Sequence, residues 1–168
     1  MAPVAVFVGA PGAGKTTIGE LVAGLLGVPF TDTDALIEAE AGKPIPEIFI
    51  DDGEDAFRAL ERSIIATALA EFSGVLALGG GAILDEGTRE LLARHTVVYL
   101  SVELSDAVKR VGLSSNRPLL AINPRATLKY LLDQRRPLYA SVAAHTIATD
   151  GREAAEIAGE VTALLKPS

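Results

Sequence analysis

Short apolar runs alternate along the chain with longer segments in which apolar residues recur every three or four positions. The first run, Val4 to Val8, is apolar throughout and stops at Gly9, which predicts a strand buried on both faces. Strands that alternate with helices indicate βαβ units and a parallel sheet covered on both sides. The further predicted strands are 28–31, 74–78, 96–101 and 145–149, and the predicted helices are 16–26, 35–40, 54–72, 88–94, 105–111, 125–139 and 152–165.

The composition fits one globular domain, predicted to span residues 1–168. Hydrophobic residues make up 49% of the chain and charged residues 22%, which is close to the globular average and does not indicate a disordered, collagen-like or coiled-coil chain. The absence of cysteine excludes disulfides and thiolate metal sites, and it suits a reducing compartment, so we expect a cytoplasmic protein. The run 4–8 is too short for a signal peptide or a membrane span, and no membrane partner is expected.

Charge is unevenly distributed along this acidic chain. The formal net charge of −7 argues against a nucleic-acid partner, because such binding needs a basic surface. Seven cations and one aspartate lie between Lys109 and Arg136, so this stretch carries +6 and the remainder −13. Such a cluster is typical of a solvated helix face, but it also suits an anionic ligand.

Residues 9–16, GAPGAGKT, match the GxxxxGK[ST] pattern directly between the first predicted strand and the first predicted helix. Glycines let the backbone wrap around a polyphosphate, so that N–H groups and the helix N-terminus face its negative charge. Lys15 is predicted to bind the β- and γ-phosphates of the nucleotide, and Thr16 to offer its hydroxyl to Mg²⁺. The motif does not decide between a kinase, a hydrolytic switch and an inert nucleotide binder. The predicted nucleotide-binding residues of this loop are Gly12, Ala13, Gly14, Lys15, Thr16 and Thr17.

Two carboxylates follow the second predicted strand, at the edge where parallel sheets bind ligands. Alternation along an extended backbone predicts that Asp32 and Asp34 point to one face, one toward metal-bound water and the other toward an acceptor hydroxyl. The alternative for Asp34 is that it caps helix 35–40.

Three consecutive glycines, Gly79 to Gly81, end the third predicted strand. They allow a ligand to approach the backbone closely, or they form a flexible bulge. The segment 112–124 is rich in serine, asparagine and proline, which predicts a surface loop long enough to be functional.

In their order and spacing these motifs resemble the shikimate kinase family. The residues that match the family are the loop 9–16, Asp32 to Asp34, Gly53, Glu54, Phe57, Arg58, Glu61, the glycine triplet, Arg117 to Leu120 and Arg136. The resemblance extends from the N-terminus to about Thr149. It implies an α/β P-loop kinase fold of three layers, with a five-stranded parallel sheet of order 2-3-1-4-5. It also implies a substrate-binding segment at about 32–61 and a mobile lid at about 112–124.

The resemblance further implies an ATP-dependent phosphorylation of the 3-hydroxyl of shikimate, which gives shikimate 3-phosphate and ADP on the way to chorismate and the aromatic amino acids. It implies a monomer that needs Mg²⁺, with Thr16 and Asp32 at the metal. Shikimate would be held by Asp34, Arg58, Gly80 and Arg136, while Lys15, Asp34 and Arg117 would serve phosphoryl transfer. Arg110 would support the adenine of ATP, whereas the proline that the family usually places opposite the base is absent from 150–155.

For the arginines of the predicted substrate site, the spacing on their own helices allows other roles besides substrate binding. Arg58 is spaced to pair with Glu61 at i,i+3, which could also orient its guanidinium toward a ligand. Arg135 and Arg136 point about 100° apart on a helix, so we expect only Arg136 to bind the substrate and Arg135 to be exposed.

Three other functions compete with this interpretation. A gluconate kinase of similar fold would have to account for Arg58, Arg136 and the glycine triplet together. A non-catalytic nucleotide-binding regulator usually has a damaged site, whereas this chain keeps Lys15, Thr16, Asp32, Asp34 and Arg117. A GTPase switch would carry an NKxD motif, and none occurs.

Overall fold

A computed structural model describes residues 3–10, 13–102 and 124–165, without the side chains of 124–128 and 131–132. Five strands form one sheet in which every pairing is parallel and the order is β2-β3-β1-β4-β5. This is the order that the family resemblance implies, so the predicted fold class is confirmed. The strands are β1 (Ala5–Val8), β2 (Phe30–Asp32), β3 (Val75–Ala77), β4 (Val97–Ser101) and β5 (His145–Ala148).

Helices fill the connections between the described strands. They are α1 (Lys15–Leu26), α2 (Thr33–Ala41), α3 (Ile45–Asp52), α4 (Glu54–Glu71), α5 (Glu86–Leu92), α6 (Pro124–Val142) and α7 (Ala154–Leu165). Helix α3 was not predicted from the sequence, because Gly42, Pro44 and Gly53 surround a segment of only eight residues. Proline is nevertheless compatible with a first helical turn, where its missing N–H has no helical partner. The predicted helix 105–111 and the predicted lid up to residue 123 lie outside the described residues.

The centre of the sheet is buried on both faces because β1, β3 and β4 are apolar up to Ser101, whereas the edge strands β2 and β5 are only partly buried. Phe7, Val98 and Leu100 face a cluster with α1 and α7, whereas the alternating Val6 and Tyr99 face a cluster with α4 and α6. Every residue of β1 is at most 2% exposed. The three-layer arrangement follows from this burial, since a sheet that is apolar on both faces needs helices on both.

A smaller apolar cluster joins α2, α3 and α4 beside the sheet. Ile37, Ile48 and Phe57 are buried together, and the ring of Phe49 lies with its centroid 4.7 Å from that of Phe57. Phe57 therefore belongs to a core, which fixes the rotation of α4 and the direction of its polar residues. None of the helices described is long and apolar enough to cross a membrane.

Candidate active site

The phosphate loop begins where β1 ends at the centre of the sheet. A methyl group built at Gly9 would lie 2.6 Å from the carbonyl oxygen of Leu100, so only glycine fits beside β4. Gly14 adopts a positive φ of 93° and precedes α1, and among the described residues no side chain caps this helix end. The first-turn N–H groups of a helix have no carbonyl partner within the helix, so this end of α1 suits an anion.

The described side chains of this loop lie at the start of α1. Lys15 Nζ donates to the carbonyl oxygen of Gly9 at 2.5 Å, which holds the ammonium group across the loop. Thr16 and Thr17 are exposed at the same helix end. Gly12 lies outside the described residues.

Asp32 and Asp34 occupy different environments, contrary to the prediction that they share one face of an extended segment. Asp32 ends β2 and caps α2, because its Oδ1 accepts from the backbone N–H of Ala35 at 2.7 Å. Helix α2 begins at Thr33, earlier than predicted, so Asp34 lies in its first turn. The capping role that was considered for Asp34 therefore belongs to Asp32.

The glycine triplet has a separate packing requirement at each position. A methyl group at Gly79 would lie 2.7 Å from Asp34 Oδ1 and 3.4 Å from Glu61 Oε2. At Gly81 it would lie 2.5 Å from Arg58 Nη2. The buried carbonyl oxygen of Gly80 accepts from the hydroxyl of Tyr139 at 2.6 Å. The triplet thus allows one acidic and one basic side chain to approach the backbone after β3.

Arg58 and Glu61 form the ion pair that their spacing on α4 predicts. Arg58 Nη1 donates to Glu61 Oε1 at 2.8 Å, and the guanidinium carbon lies 5.1 Å from the centroid of the Phe57 ring. Burial raises the pKa of the Glu61 carboxyl above its ordinary value, and the negative charge of Asp34 adds to this. The positive charges of Arg58 and Arg135 act in the opposite direction and favour the carboxylate.

Arg135 and Arg136 are placed differently from the prediction that Arg135 is exposed. Arg135 is only 5% exposed, while Arg136 is partly buried and its Nη2 donates to the carbonyl oxygen of Val102 at 3.4 Å. Tyr139, one turn after Arg135, is also buried, so this face of α6 points into the protein. No local sequence signal identifies Arg135 as buried, because its burial depends on which face of α6 packs against the protein.

The remaining predicted residues were assigned to the nucleotide. Arg110 and Arg117 lie outside the described residues. In the loop after β5, where the family's proline is absent, Arg152 donates to the carbonyl oxygen of Ala148 at 3.2 Å and pairs with Glu156 at 3.1 Å and with Glu160. Carboxylates of α7 therefore hold this arginine in place.

A cleft of about 250 Å³ opens beside the Arg58–Glu61 pair. Its lining carries carboxylates and guanidinium groups, which suit a small polar ligand. It consists of Glu54, Asp55, Arg58, Glu61, Arg62, Gly81, Leu84 and Asp85. The carboxyl ends of β1 and β3 are adjacent, so the cleft and the phosphate loop lie at the same edge of the sheet.

Two donor groups at the edge of the sheet that holds the phosphate loop fit Mg²⁺ that is bound mainly by a nucleotide. Thr16 offers a hydroxyl at the start of α1, and the Asp32 carboxylate has a second oxygen beyond the one that caps α2. Within the described ranges no group of three or more histidine, cysteine or acidic residues could hold a metal ion. Mg²⁺ in such sites takes few protein ligands and keeps phosphates and waters.

The sheet order, the phosphate loop after β1 and the polar cleft beside it define a P-loop kinase. The family model described as shikimate kinase matches residues 11–166, and the chain belongs to that family. A shikimate kinase of Salinispora tropica is 68% identical over 165 residues, which cover 98% of this chain and 99% of the relative.

Solved structures agree with this assignment. A shikimate kinase from Acinetobacter baumannii in complex with shikimate superposes with a TM-score of 0.93 at 40% identity, covering 98% of this chain and 93% of that one. A gluconokinase from Sinorhizobium meliloti 1021 reaches a TM-score of 0.57 at 23% identity, covering 96% and 90% of the two chains. The likeness to the gluconokinase is one of fold alone.

Proposed function

We propose that this protein transfers the γ-phosphoryl group of ATP to the 3-hydroxyl of shikimate, giving shikimate 3-phosphate and ADP. The product is an intermediate of chorismate and aromatic amino-acid biosynthesis. The observation that carries the proposal is the meeting of Asp34, Arg58 and Glu61 at the glycine triplet, on the sheet edge that also holds the phosphate loop. The 68% identical shikimate kinase supports the same substrate.

The chemical fit to shikimate rests on charge and hydrogen bonding. Shikimate is a carboxylate that bears three hydroxyl groups, so it needs cationic donors for one group and acceptors for the others. Arg58 and Arg136 supply guanidinium groups, with Arg58 held by Glu61 and Arg136 beside the carboxyl end of β4. Asp34 supplies the acceptor beside Gly79, and the backbone of Gly80 completes the set.

Phosphoryl transfer by these residues depends on positioning and charge neutralisation. Lys15 would leave the carbonyl oxygen of Gly9 and bind the β- and γ-phosphates, while Arg117 would stabilise charge on the transferring group. Asp34 would orient the 3-hydroxyl toward the γ-phosphorus and accept its proton late in the transfer. Mg²⁺, when bound at the Thr16 hydroxyl and through water at Asp32, neutralises phosphate charge.

The roles of Asp34 and Asp32 can be separated by matched substitutions. Asp34→Asn should abolish transfer to shikimate with ATP binding retained, because the amide cannot take the proton of the hydroxyl. Asp32→Asn should instead raise the Mg²⁺ requirement. ADP release is measured with shikimate, quinate and gluconate offered separately, and ATP binding by calorimetry. Faster turnover of gluconate than of shikimate, or full activity of Asp34→Asn, would overturn the proposal.

The proposal also includes the association state, a monomer, and the cellular location, the cytoplasm. A cytoplasmic location is supported by the absence of cysteine, which suits a reducing compartment, and the monomeric state is what the family resemblance implies. Analytical ultracentrifugation with saturating ATP and shikimate should give the mass of a single chain. A stable dimer would contradict the monomeric state without affecting the reaction.

A further inference from the structure

Thr33 is a fully buried polar residue to which the proposed reaction assigns no role. It is the first residue of α2, between Asp32 and Asp34, and it is 0% exposed. A buried hydroxyl costs free energy unless it takes part in a hydrogen bond. Thr33 Oγ1 accepts from the backbone N–H of Gly79 at 3.1 Å, across 46 positions of the chain. This contact joins the start of α2 to the glycine triplet.

The N–H of Gly79 needs this acceptor because the neighbouring strand has already ended. Strand β3 pairs with β2 only as far as Ala77. The N–H of Leu78 donates to the carbonyl oxygen of Phe7 on β1 at 3.0 Å, and the next N–H, that of Gly79, turns to the opposite side, toward β2. The chain enters α2 at Thr33, so its hydroxyl takes the place of a strand carbonyl.

The Asp34 carboxylate lies against the same glycine. A methyl group built on Gly79 would be 2.7 Å from Asp34 Oδ1, so this carboxylate packs over the α-carbon while the Thr33 hydroxyl binds the N–H. Both side chains belong to the first turn of α2, which the Asp32 cap holds in helical geometry. Adjacent residues of one helical turn move together. The hydrogen bond from Gly79 to Thr33 therefore sets the distance between the Asp34 carboxylate and the glycine triplet.

We propose that Thr33 is a positioning residue, whose buried hydroxyl holds the first turn of α2 on Gly79 and so places the Asp34 carboxylate for the acceptor hydroxyl of the substrate. The inference rests on the proposed function, because Asp34 is there assigned to the 3-hydroxyl of shikimate. Thr33 acts through Asp34 and is not itself a ligand. The role requires a hydroxyl that accepts from an N–H, which serine also offers and valine does not.

The test compares Thr33→Val and Thr33→Ser with a matched control, Thr149→Val. Thr149 is also a buried threonine, 1% exposed, and its hydroxyl donates to the carbonyl oxygen of Ser101 at 2.9 Å. It follows β5, which two strands separate from β3. ADP release is measured with shikimate varied at saturating ATP, and then with ATP varied at saturating shikimate. Circular dichroism checks that each variant folds.

Thr33→Val leaves the N–H of Gly79 without its acceptor, so the first turn of α2 should move away from the triplet. Misplacing a reacting group by about 1 Å can reduce the rate by about 100-fold, and for a smaller shift we expect kcat to fall about tenfold. The KM for ATP should stay constant, because the phosphate loop follows a different strand. Thr33→Ser and Thr149→Val should keep the native kcat.

A second measurement tests whether Thr33 acts through Asp34. Calorimetry gives the Kd for shikimate in Asp34→Ala and in the double variant with Thr33→Val. The double variant should bind shikimate no more weakly than Asp34→Ala does, because the group that Thr33 positions is already absent. A hydroxyl that merely supported the fold of the site would instead weaken binding in both backgrounds.

Two results would overturn the inference while leaving the reaction intact. One is a kcat of Thr33→Val equal to that of Thr149→Val, and the other is a further loss of shikimate affinity in the double variant. If Thr33→Val does not fold, Thr33→Ser decides: a native kcat supports the role of the hydroxyl, and a tenfold fall assigns the effect to the methyl group. Failure of the proposed function would be distinct, because the native protein would then not phosphorylate shikimate at all.

Discussion

Replacing Gly79 by alanine should disturb the acceptor side of the site while leaving the phosphate loop unchanged. The new methyl group would lie 2.7 Å from Asp34 Oδ1 and 3.4 Å from Glu61 Oε2. The backbone of Gly79 is not in the left-handed region, so alanine introduces no backbone strain there. The perturbation is therefore a steric displacement of Asp34.

The magnitude follows from the size of that displacement. To restore an ordinary contact of 3.4 Å, the Asp34 carboxylate must move by about 0.7 Å. Misplacing a reacting group by about 1 Å can reduce the rate by about 100-fold, so we expect Gly79→Ala to lower kcat for shikimate by roughly 10- to 100-fold. Binding of ATP and ADP should not change, because the phosphate loop follows a different strand.

The assay is ADP release at saturating ATP with shikimate varied, together with calorimetry for nucleotide binding. Gly24→Ala is the matched control: a methyl group there meets nothing within 4 Å, and it replaces a glycine inside α1. The control should keep its kcat and gain about 0.5–1 kcal/mol of stability. A kcat for Gly79→Ala equal to that of Gly24→Ala would show that Asp34 does not act at this position.

Three further substitutions test the phosphate loop, the packing of α6 and the buried carboxylate. Lys15→Ala should lower turnover by about 10³-fold, because a charge on the transferring group is lost, and near-normal turnover would contradict the kinase assignment. Tyr139→Phe removes the donor to a buried carbonyl and should lower the free energy of unfolding by about 1–3 kcal/mol in urea denaturation, whereas the exposed Tyr130→Phe should change it little. Glu61→Gln should remove the contribution to the free energy of unfolding that falls as the pH rises in the native protein, which urea denaturation of the two proteins at several pH values measures.

The sheet was predictable because its strands are short apolar runs between amphipathic helices. Every position of β1 is buried, so the pattern at 4–8 could belong only to a central strand or a short core segment. Helix α3 was not predicted because proline and glycine flank it and because Ile48 is its single buried residue, which leaves no helical periodicity to detect. The order of the strands came from the family resemblance and not from periodicity, which carries no information about neighbours in a sheet.

The candidate site was predictable where a motif fixes local geometry, as in the loop 9–16 and the i,i+3 pair of Arg58 and Glu61. The site was not predictable where tertiary packing determines the direction or the burial of a side chain. Treating 31–34 as extended gave Asp32 and Asp34 one common direction, but α2 begins at Thr33 and separates them. The burial of Arg135 likewise depends on which face of α6 covers the glycine triplet, and composition alone favours an exposed arginine.

Glu61 links the function of this site to the stability of the fold. Its folded-state pKa is raised above the ordinary value of about 4.5, mainly by burial, so between the two values the folded state binds more protons than the unfolded chain. The stability that this difference contributes is complete below about pH 4.5 and is lost as the pH rises through the folded-state pKa.

The carboxylate that holds Arg58 therefore reduces the stability of the fold in the pH range where the enzyme needs it ionised, a conflict often found at functional sites. Urea denaturation of the native protein and of Glu61→Gln across that range should show the native free energy of unfolding falling relative to the variant as the pH rises. All other titrating groups are shared by the two proteins, so the difference isolates Glu61. A difference that is constant with pH, or that changes in the opposite direction, would show that the folded protein does not raise the pKa of this carboxyl.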